Sequence, residues 1–191
     1  MYVKKINISH AGNLKKDRSY GEQEEDNFLQ LAAKYFDTKD CKKINKDIVV
    51  EIEGIKHQLP DTSVRNIYFE NKIKYPTREG FFGLEAYRYK SLLSLSKTEK
   101  YQNIVYLINP NVRKNTNRTS QAQDSLKKFN LEPNVRIGCY IQNLNIDKEG
   151  NSFTYKAGNK VWDKIYYFHA NQFKILDFEK WSKNPTELNF Y

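Results

Sequence analysis

Hydrophobic residues recur at helical spacing in the first part of the chain. Four of them follow one another at intervals of three, one and three residues, which is typical of a helix with one apolar face. These residues are Phe28, Leu31, Ala32 and Tyr35. Ser19, followed three residues later by Glu22, resembles the capping box that begins many helices. In such a helix Glu25 lies on the apolar side, together with Phe28.

Beyond this helix, apolar runs and period-two alternation predict strands that are separated by further helices. The predicted strands are Asp47–Glu53, an extended segment that ends at Leu59, Ile67–Ile73, Asn103–Ile108, Val135–Leu144 and Val161–Phe168. The predicted helices are Gly83–Ser94, Ser120–Phe129 and Gln172–Trp181, and residues 62–66 are predicted as a turn. This order indicates an α/β fold with a mixed sheet flanked by helices. Neither a repeat nor a linker is visible, so residues 1–191 are expected to form a single domain.

The composition favours a folded protein with an anionic partner. Hydrophobic residues make up 39% of the chain, and 32 Lys and Arg outnumber 23 Asp and Glu, for a net charge of +9. A positive charge of this size attracts phosphate backbones, because each neutralised phosphate releases a counterion. The alternative is a protein that has a lysine-rich surface but no anionic partner, which would show the same composition. The charge therefore suggests nucleic acid without deciding for it.

The two cysteines, Cys41 and Cys139, lie far apart and without His or Cys at zinc-ligand spacing. This usage argues against zinc and fits a reducing, cytoplasmic setting. The N-terminal residues lack the apolar core of a signal peptide, and no apolar stretch is long enough to span a membrane. Secretion and membrane insertion are therefore not expected.

Candidate chemistry is concentrated in the strand Ile67–Ile73. Its period of two places Tyr68, Glu70 and Lys72 on one face, and the alternate residues on the other. A carboxylate and an ammonium group thus point in the same direction. An exposed strand pair would show the same pattern, with a stabilisation of only about 0.2–1 kcal/mol.

Asp61 follows Pro60, where the chain leaves one extended segment and turns back toward the next. A tight meander would bring Asp61 beside Glu70. Hydrolysis of a phosphodiester with a divalent metal needs carboxylates to hold the ion and a cation near the developing charge. A hard ion such as Mg²⁺ prefers oxygen ligands of this kind. The alternative is that Asp61 is only a turn residue, since Asp is common in turns after proline.

Pro60-Asp61 followed by Glu70-Asn71-Lys72 resembles the signature of the PD-(D/E)XK nuclease superfamily, which includes many restriction endonucleases. The resemblance implies a restriction-endonuclease-like sheet and a Mg²⁺-dependent endonuclease that hydrolyses double-stranded DNA. It also implies that Asp61 and Glu70 are metal ligands. Lys72 would orient the attacking water or stabilise the transition state.

Many members of that superfamily add a glutamate from the preceding helix, often after a glycine. The segment Gly21-Glu22-Gln23-Glu24-Glu25 fits this pattern, and Phe28 follows at a core position. Glu25 is the expected fourth site residue and a third metal ligand. Glu22 and Glu24 stay open as alternatives, because the register of the helix is not determined.

Other polar residues have weaker claims to a role in the site. Arg88 and Glu85 lie in the helix after the catalytic strand, where they could support the site or remain solvated. The segment 111–118 contains Arg113, Lys114 and Arg118 and could contact a DNA backbone. The three histidines are more often structural than catalytic in such positions. They are His10, His57 and His169.

No zinc finger, helix-turn-helix or RNA-binding sheet signature is visible, so little of the chain is left to read a DNA sequence. In this respect the chain is similar to the small catalytic subunit of a heterodimeric type IIS restriction endonuclease. A larger DNA-recognising subunit, or a second copy in a homodimer, would then supply the second cut. The alternative is a basic protein without catalysis that binds nucleic acid or another subunit.

Overall fold

A computed structural model describes residues 21–111, 119–133, 135–156, 159–184 and 188. The helices of this part are α1 (21–32), α2 (Ala86–Ser96), α3 (Thr119–Lys128) and α4 (Phe178–Lys183). The strands are β1 (Cys41–Lys43), β2 (Val49–Ile52), β3 (Ile55–Gln58), β4 (Thr62–Val64), β5 (Ile67–Lys74), β6 (Phe81–Glu85), β7 (Ile104–Pro110), β8 (Ile137–Tyr140), β9 (Lys148–Lys156), β10 (Asn159–His169) and β11 (Lys174–Ile175). In the same part of the chain, no helix is sufficiently long and apolar to cross a membrane.

The central feature is a six-stranded sheet with the order β1-β4-β5-β7-β8-β11. Strands β5 and β7 are parallel, and the other neighbouring pairs are antiparallel. Parallel neighbours need a crossover connection, which β6 and α2 provide here. The predicted mixed α/β architecture is confirmed.

Strand β7 is buried along its whole length because helices cover both faces of the sheet. Ile104, Tyr106 and Ile108 face a core that includes Leu92 and Leu95 of α2. The alternate residues of β7 face a second core, built by α1 and α4. This arrangement explains why the sequence of β7 is continuously apolar and does not alternate.

Aromatic rings fill the second core. The ring of Phe28 in α1 lies 4.8 Å from that of Phe69 in β5, and 6.0 Å from that of Phe178 in α4. Trp181 of α4 is fully buried and lies 5.7 Å from Phe69. The predicted apolar face of the first helix is therefore the face that contacts the sheet.

Two smaller sheets complete the described part of the fold. Strands β6, β10 and β9 form a three-stranded sheet, and β2 and β3 form a hairpin. Tyr89 of α2 packs against Tyr166 and Phe168 of β10, with ring centroids 5.6 and 5.3 Å apart. Helix α2 thus lies between the central sheet and the smaller sheet.

Two sequence predictions around strand β5 are wrong. Residues 62–66 were predicted as a turn, but Thr62–Val64 is a buried strand and only two residues form the turn. Pairing with both β1 and β5 outweighs the turn preference of the polar residues. The predicted helix Gly83–Ser94 begins later, at Ala86, because Gly83 pairs with Tyr167 of β10 as part of a strand.

The predictions for the last third differ more from the structure. The strand predicted at Val135–Leu144 covers only Ile137–Tyr140 and is followed by a 3-10 turn. The helix predicted at Gln172–Trp181 starts only at Phe178, because β11 precedes it. The strands β6 and β9 were not predicted, since their sequences have no clear apolar alternation. Ser19 lies outside the described residues, so the structure does not test the capping box.

Candidate active site

The β4–β5 hairpin brings Asp61 close to Glu70 of strand β5. Thr62 pairs with Phe69, so the preceding residue, Asp61, lies next to Glu70. Asp61 Oδ2 accepts a hydrogen bond from the backbone N–H of Asn71 at 2.9 Å. The backbone carbonyl of Asp61 accepts another from Ile44 at 2.9 Å. The predicted approach of Asp61 to Glu70 is confirmed, and backbone hydrogen bonds hold it in place.

Strand β5 presents its residues to two different sides, as its alternation predicts. Phe69 faces α1, whereas Tyr68 lies 5.0 Å from the ring of Tyr101 on the other side. Glu70 and Lys72 share the side of Tyr68, and Lys72 Nζ lies 2.7 Å from Glu70 Oε1. The two residues therefore form a close ion pair, but not the exposed pair that was the alternative, because the Glu70 side chain is only 2% exposed.

Glu70 is bound by two cations. Its Oε1 accepts the hydrogen bond from Lys72, and its Oε2 accepts one from Arg88 of α2. Burial by itself would raise the pKa of Glu70, but the charges of Lys72 and Arg88 outweigh burial and lower this pKa to about 2. Glu70 is therefore ionised at neutral pH, with both carboxylate oxygens in use.

Arg88 connects α2 to the segment before Asp61. One terminal nitrogen donates to the carbonyl of Gln58 at 2.7 Å, and the other donates to the carbonyl of Leu59 at 2.9 Å and to Glu70. A planar guanidinium can make these bonds at once because its donors are fixed in a fork. Arg88 thus links Glu70 to the end of the β2–β3 hairpin. Glu85 precedes α2 and makes no side-chain hydrogen bond to the helix end.

Helix α1 supplies the third carboxylate. The Glu25 side chain is 3% exposed, and its Oε1 accepts a hydrogen bond from Lys46 Nζ at 2.7 Å. Its Oε2 is buried and accepts no hydrogen bond, although Lys43 Nζ lies 3.4 Å away. Lys46 Nζ also lies 3.9 Å from Asp61 Oδ1. Glu25 and Asp61 therefore share one ammonium group between them.

The register of α1 distinguishes Glu25 from the alternative Glu24. Glu24 is also buried, but its oxygens accept hydrogen bonds from Asn109 at 2.8 Å and from Arg136 Nε at 3.0 Å. Glu24 points toward β7 and β8, and no contact joins it to Asp61. Glu22 is only partly buried, and its backbone carbonyl accepts from Lys43.

Asp61 lies at the centre of this cluster. Lys72 Nζ is 3.7 Å from its Oδ2, so Asp61 shares Lys72 with Glu70 as it shares Lys46 with Glu25. Burial and the negative charges of Glu70 and Glu25 together raise the pKa of Asp61 to about 6, although Lys72 and the Asn71 N–H oppose this rise. The arrangement thus surrounds one buried carboxyl group with two other carboxylates and the two ammonium groups that they share with it.

Lys72 keeps its proton in this environment. Burial would lower the pKa of Lys72, but Glu70 and Asp61 raise it by a larger amount. An ammonium held between two carboxylates is a fixed positive charge and a hydrogen-bond donor. Lys72 can therefore stabilise negative charge, but it is unsuited to accept a proton.

The donor set of the cluster suits a hard divalent cation in chemical terms. It consists of carboxylate oxygens, and Glu25 Oε2 is buried without a hydrogen bond. In the described part of the chain, however, no three His, Cys, Asp or Glu residues are arranged so that they could hold a metal ion as they stand. Lys46 and Lys72 lie between the carboxylates. Asp61 and Glu25 are the better candidate ligands, since Glu70 is fully occupied.

Lys46 was not predicted as a site residue. It lies in a loop between β1 and β2, and a lysine in a basic loop gives no signal about the direction of its side chain. His57 is buried and its Nδ1 lies 3.1 Å from Ser91 Oγ, while His169 Nδ1 accepts from the N–H of Asn171. Neither histidine contacts the carboxylates. His10 and the basic positions 113, 114 and 118 lie outside the described residues.

The chain matches no protein-family model, no curated protein and no solved structure. The resemblance to the nuclease superfamily therefore stays a prediction. The geometry of the cluster itself is what indicates a function.

Proposed function

We propose that the chain is a metal-dependent endonuclease that hydrolyses phosphodiester bonds of DNA at the carboxylate cluster. The observation that carries the proposal is the convergence of three carboxylates from three separate elements: Asp61 shares Lys46 with Glu25 and shares Lys72 with Glu70. Buried carboxylates that repel one another are costly to maintain, and they are concentrated at functional sites. A purely structural ion pair would not need three of them.

Asp61 and Glu25 would hold the ion, with Mg²⁺ as the expected metal because all donors are oxygens. When bound, such an ion polarises the phosphate and makes a bound water a better nucleophile. Lys72 would donate a hydrogen bond to the phosphate oxygens, where negative charge develops. Glu70 holds Lys72 in position, and Arg88 holds Glu70.

The subunit arrangement is a further part of the proposal. One cluster per chain serves one strand at a time, so a double-strand break requires a second active site. A larger DNA-recognising subunit would supply that site and the sequence specificity, or a second copy of this chain would supply the site. The net charge of +9 supports a polyanionic substrate.

A second candidate is a basic protein without catalysis that binds nucleic acid or another subunit. The full engagement of Glu70 by Lys72 and Arg88 favours this candidate, because such a network also occurs in sites that only stabilise a fold. The two candidates differ in whether Asp61 and Glu25 bind a metal ion.

A nicking assay tests the proposal. Supercoiled DNA is incubated with Mg²⁺ and the chain, alone and with its partner subunit, and nicked product is measured on a gel. Asp61→Asn, Glu25→Gln and Lys72→Met are expected to lower the rate by about a hundredfold or more, as for loss of other catalytic charges. Urea unfolding of each variant shows whether the fold is intact.

Two matched controls belong to this assay. Asp26→Asn changes the neighbouring carboxylate of α1, which is exposed and pairs only with Lys43 in the described structure. Lys74→Met changes the next lysine on the same side of β5, which donates to the carbonyl of Gly83. Both controls should cut like the wild type. If the Asp61 and Lys72 variants cut DNA as fast as the wild type, the proposal is refuted. If the chain binds DNA but not Mg²⁺, the second candidate is favoured.

A further inference from the structure

A groove with a volume of about 420 Å³ lies between β3 and α2, next to the carboxylate cluster. Arg88 lines this groove and also binds Glu70, so one side chain is shared between the groove and the cluster. The volume is within the range of roughly 300–1,000 Å³ that is usual for ligand sites. The groove is therefore large enough for part of a substrate that reaches the cluster.

The helix side of the groove is a regular stripe. Tyr87, Lys90, Ser91 and Ser94 line it at positions i, i+3, i+4 and i+7 of one face of α2. His57 of β3 is buried, and its Nδ1 lies 3.1 Å from Ser91 Oγ. This contact fixes the helix to the strand, so the two walls of the groove are held at a constant separation.

The charges that line the groove have a single sign. They belong to Lys56, Arg88 and Lys90, and none of the lining residues is an Asp or Glu. Lys56 and Lys90 are exposed, and neither forms an ion pair with any described residue. Two ammonium groups that face solvent along a groove attract an anion with regularly spaced charges. A nucleic-acid strand has such a charge pattern.

Tyr87 stands at the edge of the groove, and 68% of its surface is exposed. Its ring therefore offers an apolar face to solvent beside the groove. Charges of both signs act on the Tyr87 hydroxyl: Glu85 and Asp163 repel negative charge there, and Arg88 and Lys72 attract it. An uncharged base can stack on the ring, whereas the phosphates would lie near the lysines.

We propose that the groove between β3 and α2 binds a single nucleic-acid strand that leads to the carboxylate cluster. The phosphates contact Lys56 and Lys90, and a base stacks on Tyr87. One part of this inference rests on the proposed function, namely that the bound strand continues to the carboxylate cluster. The groove and the cluster meet at Arg88. Binding in the groove itself requires no metal and no cleavage.

Binding of a short fluorescein-labelled single-stranded DNA, measured by anisotropy in EDTA, tests the proposal. The double variant Lys56→Ala/Lys90→Ala should weaken binding by about tenfold and make the dependence of log Kd on log salt shallower by about 1.4, since two phosphate contacts are lost. The control Lys34→Ala/Lys183→Ala removes the same charge from exposed positions of the α1 and α4 side. Equal weakening by the control would overturn the proposal.

The stacking contact has its own test. Tyr87→Ala should weaken binding by about fivefold or more, and Tyr87→Phe should leave it unchanged, because the ring is retained. With a strand of abasic sites, Tyr87→Ala and the wild type should bind alike. If polyglutamate displaced the labelled strand as well as unlabelled DNA does, the groove would be a site for acidic polymers in general and the proposal would be wrong.

Failure of this inference can be separated from failure of the proposed function. Asp61→Asn should abolish nicking and retain binding of the strand in EDTA. If the wild type binds the strand through Lys56 and Lys90 but never nicks DNA, the inference about the groove holds and the proposed nuclease function is refuted. If the wild type nicks DNA but substitution of Lys56, Lys90 and Tyr87 does not change strand binding, only the inference about the groove is refuted.

Discussion

The ammonium group of Lys46 lies 2.7 Å from Oε1 of Glu25 and thereby neutralises a carboxylate that is almost fully buried. The same ammonium lies 3.9 Å from Oδ1 of Asp61. Lys46 thus occupies the space between the two proposed metal ligands. Its own side chain is 42% exposed, so water can solvate the ammonium when another cation takes its place beside Glu25.

Replacement of this lysine should strengthen metal binding. Lys46→Met removes a cation that competes with Mg²⁺ for Glu25 and Asp61, so the Kd for Mg²⁺ should fall several-fold. Isothermal titration calorimetry with MgCl₂ measures this change. Lys42→Met serves as a control, because Lys42 is exposed on β1 and forms no contact with either carboxylate. An unchanged or higher Kd in Lys46→Met would show that no ion binds between these carboxylates.

The neighbouring residues Glu24 and Glu25 should differ in what they do. Glu24→Gln removes the charge that pairs with buried Arg136, so we expect it to lower the free energy of unfolding by about 3 kcal/mol. Its nicking rate per folded molecule should be that of the wild type. Glu25→Gln should lose nicking, with a smaller change in stability, because its lysine partners are partly exposed. If Glu24→Gln lost nicking and Glu25→Gln lost stability, the register of α1 described above would be wrong.

Arg88 should be among the residues most important for stability. Arg88→Met leaves the buried charge of Glu70 with Lys72 alone and two carbonyls without a donor, so we expect a loss of about 3–5 kcal/mol in urea unfolding. The double variant Arg88→Met/Glu70→Gln should lose less than the sum of the single variants, since the two residues interact directly. Lys148→Met, in an exposed pair with Glu79, should change stability by less than about 1 kcal/mol.

The pH dependence of stability should reveal the raised pKa of Asp61, which burial and the neighbouring carboxylates cause. Its pKa in the folded chain, about 6, is above the ordinary value of 3.8, so the native state binds this proton more tightly than the unfolded state. The free energy of unfolding should therefore rise as the pH falls from about 7 to about 4. Glu70 has the opposite effect on stability, because its pKa is lowered from 4.5 to about 2 in the folded chain. Its contribution to the free energy of unfolding is lost only as the pH falls below 4.5.

Urea unfolding in metal-free buffer at several pH values measures this effect. Asp61→Asn should remove most of the slope between pH 7 and about pH 5, and Asp47→Asn, an exposed change, should retain it. Carbon-13 NMR of the aspartate carboxyl groups should give a midpoint near 6 for Asp61. A midpoint near 4, with no difference between the two variants, would contradict the proposed convergence of carboxylates.

Local periodicity was enough to predict the strand that carries Glu70 and Lys72. A strand alternates its side chains with a period of two, so Glu70 and Lys72 had to share one face wherever the strand lay in the fold. The apolar face of the first helix followed in the same way from Phe28 and its neighbours. Where a pattern depended on pairing partners, as for Thr62–Val64, the sequence was misleading, because burial between β1 and β5 outweighs local turn preference.

The tertiary structure alone decided which side chains meet Asp61. Glu24 and Glu25 are equivalent in the sequence, and only the packing of α1 on the sheet turns Glu25 toward Asp61 and Glu24 toward Arg136. Lys46 comes from a loop whose direction no local pattern determines. The physical reason is that local structure depends on neighbouring residues, whereas a charge cluster depends on contacts between segments far apart in the chain, and burial gives those contacts their strength.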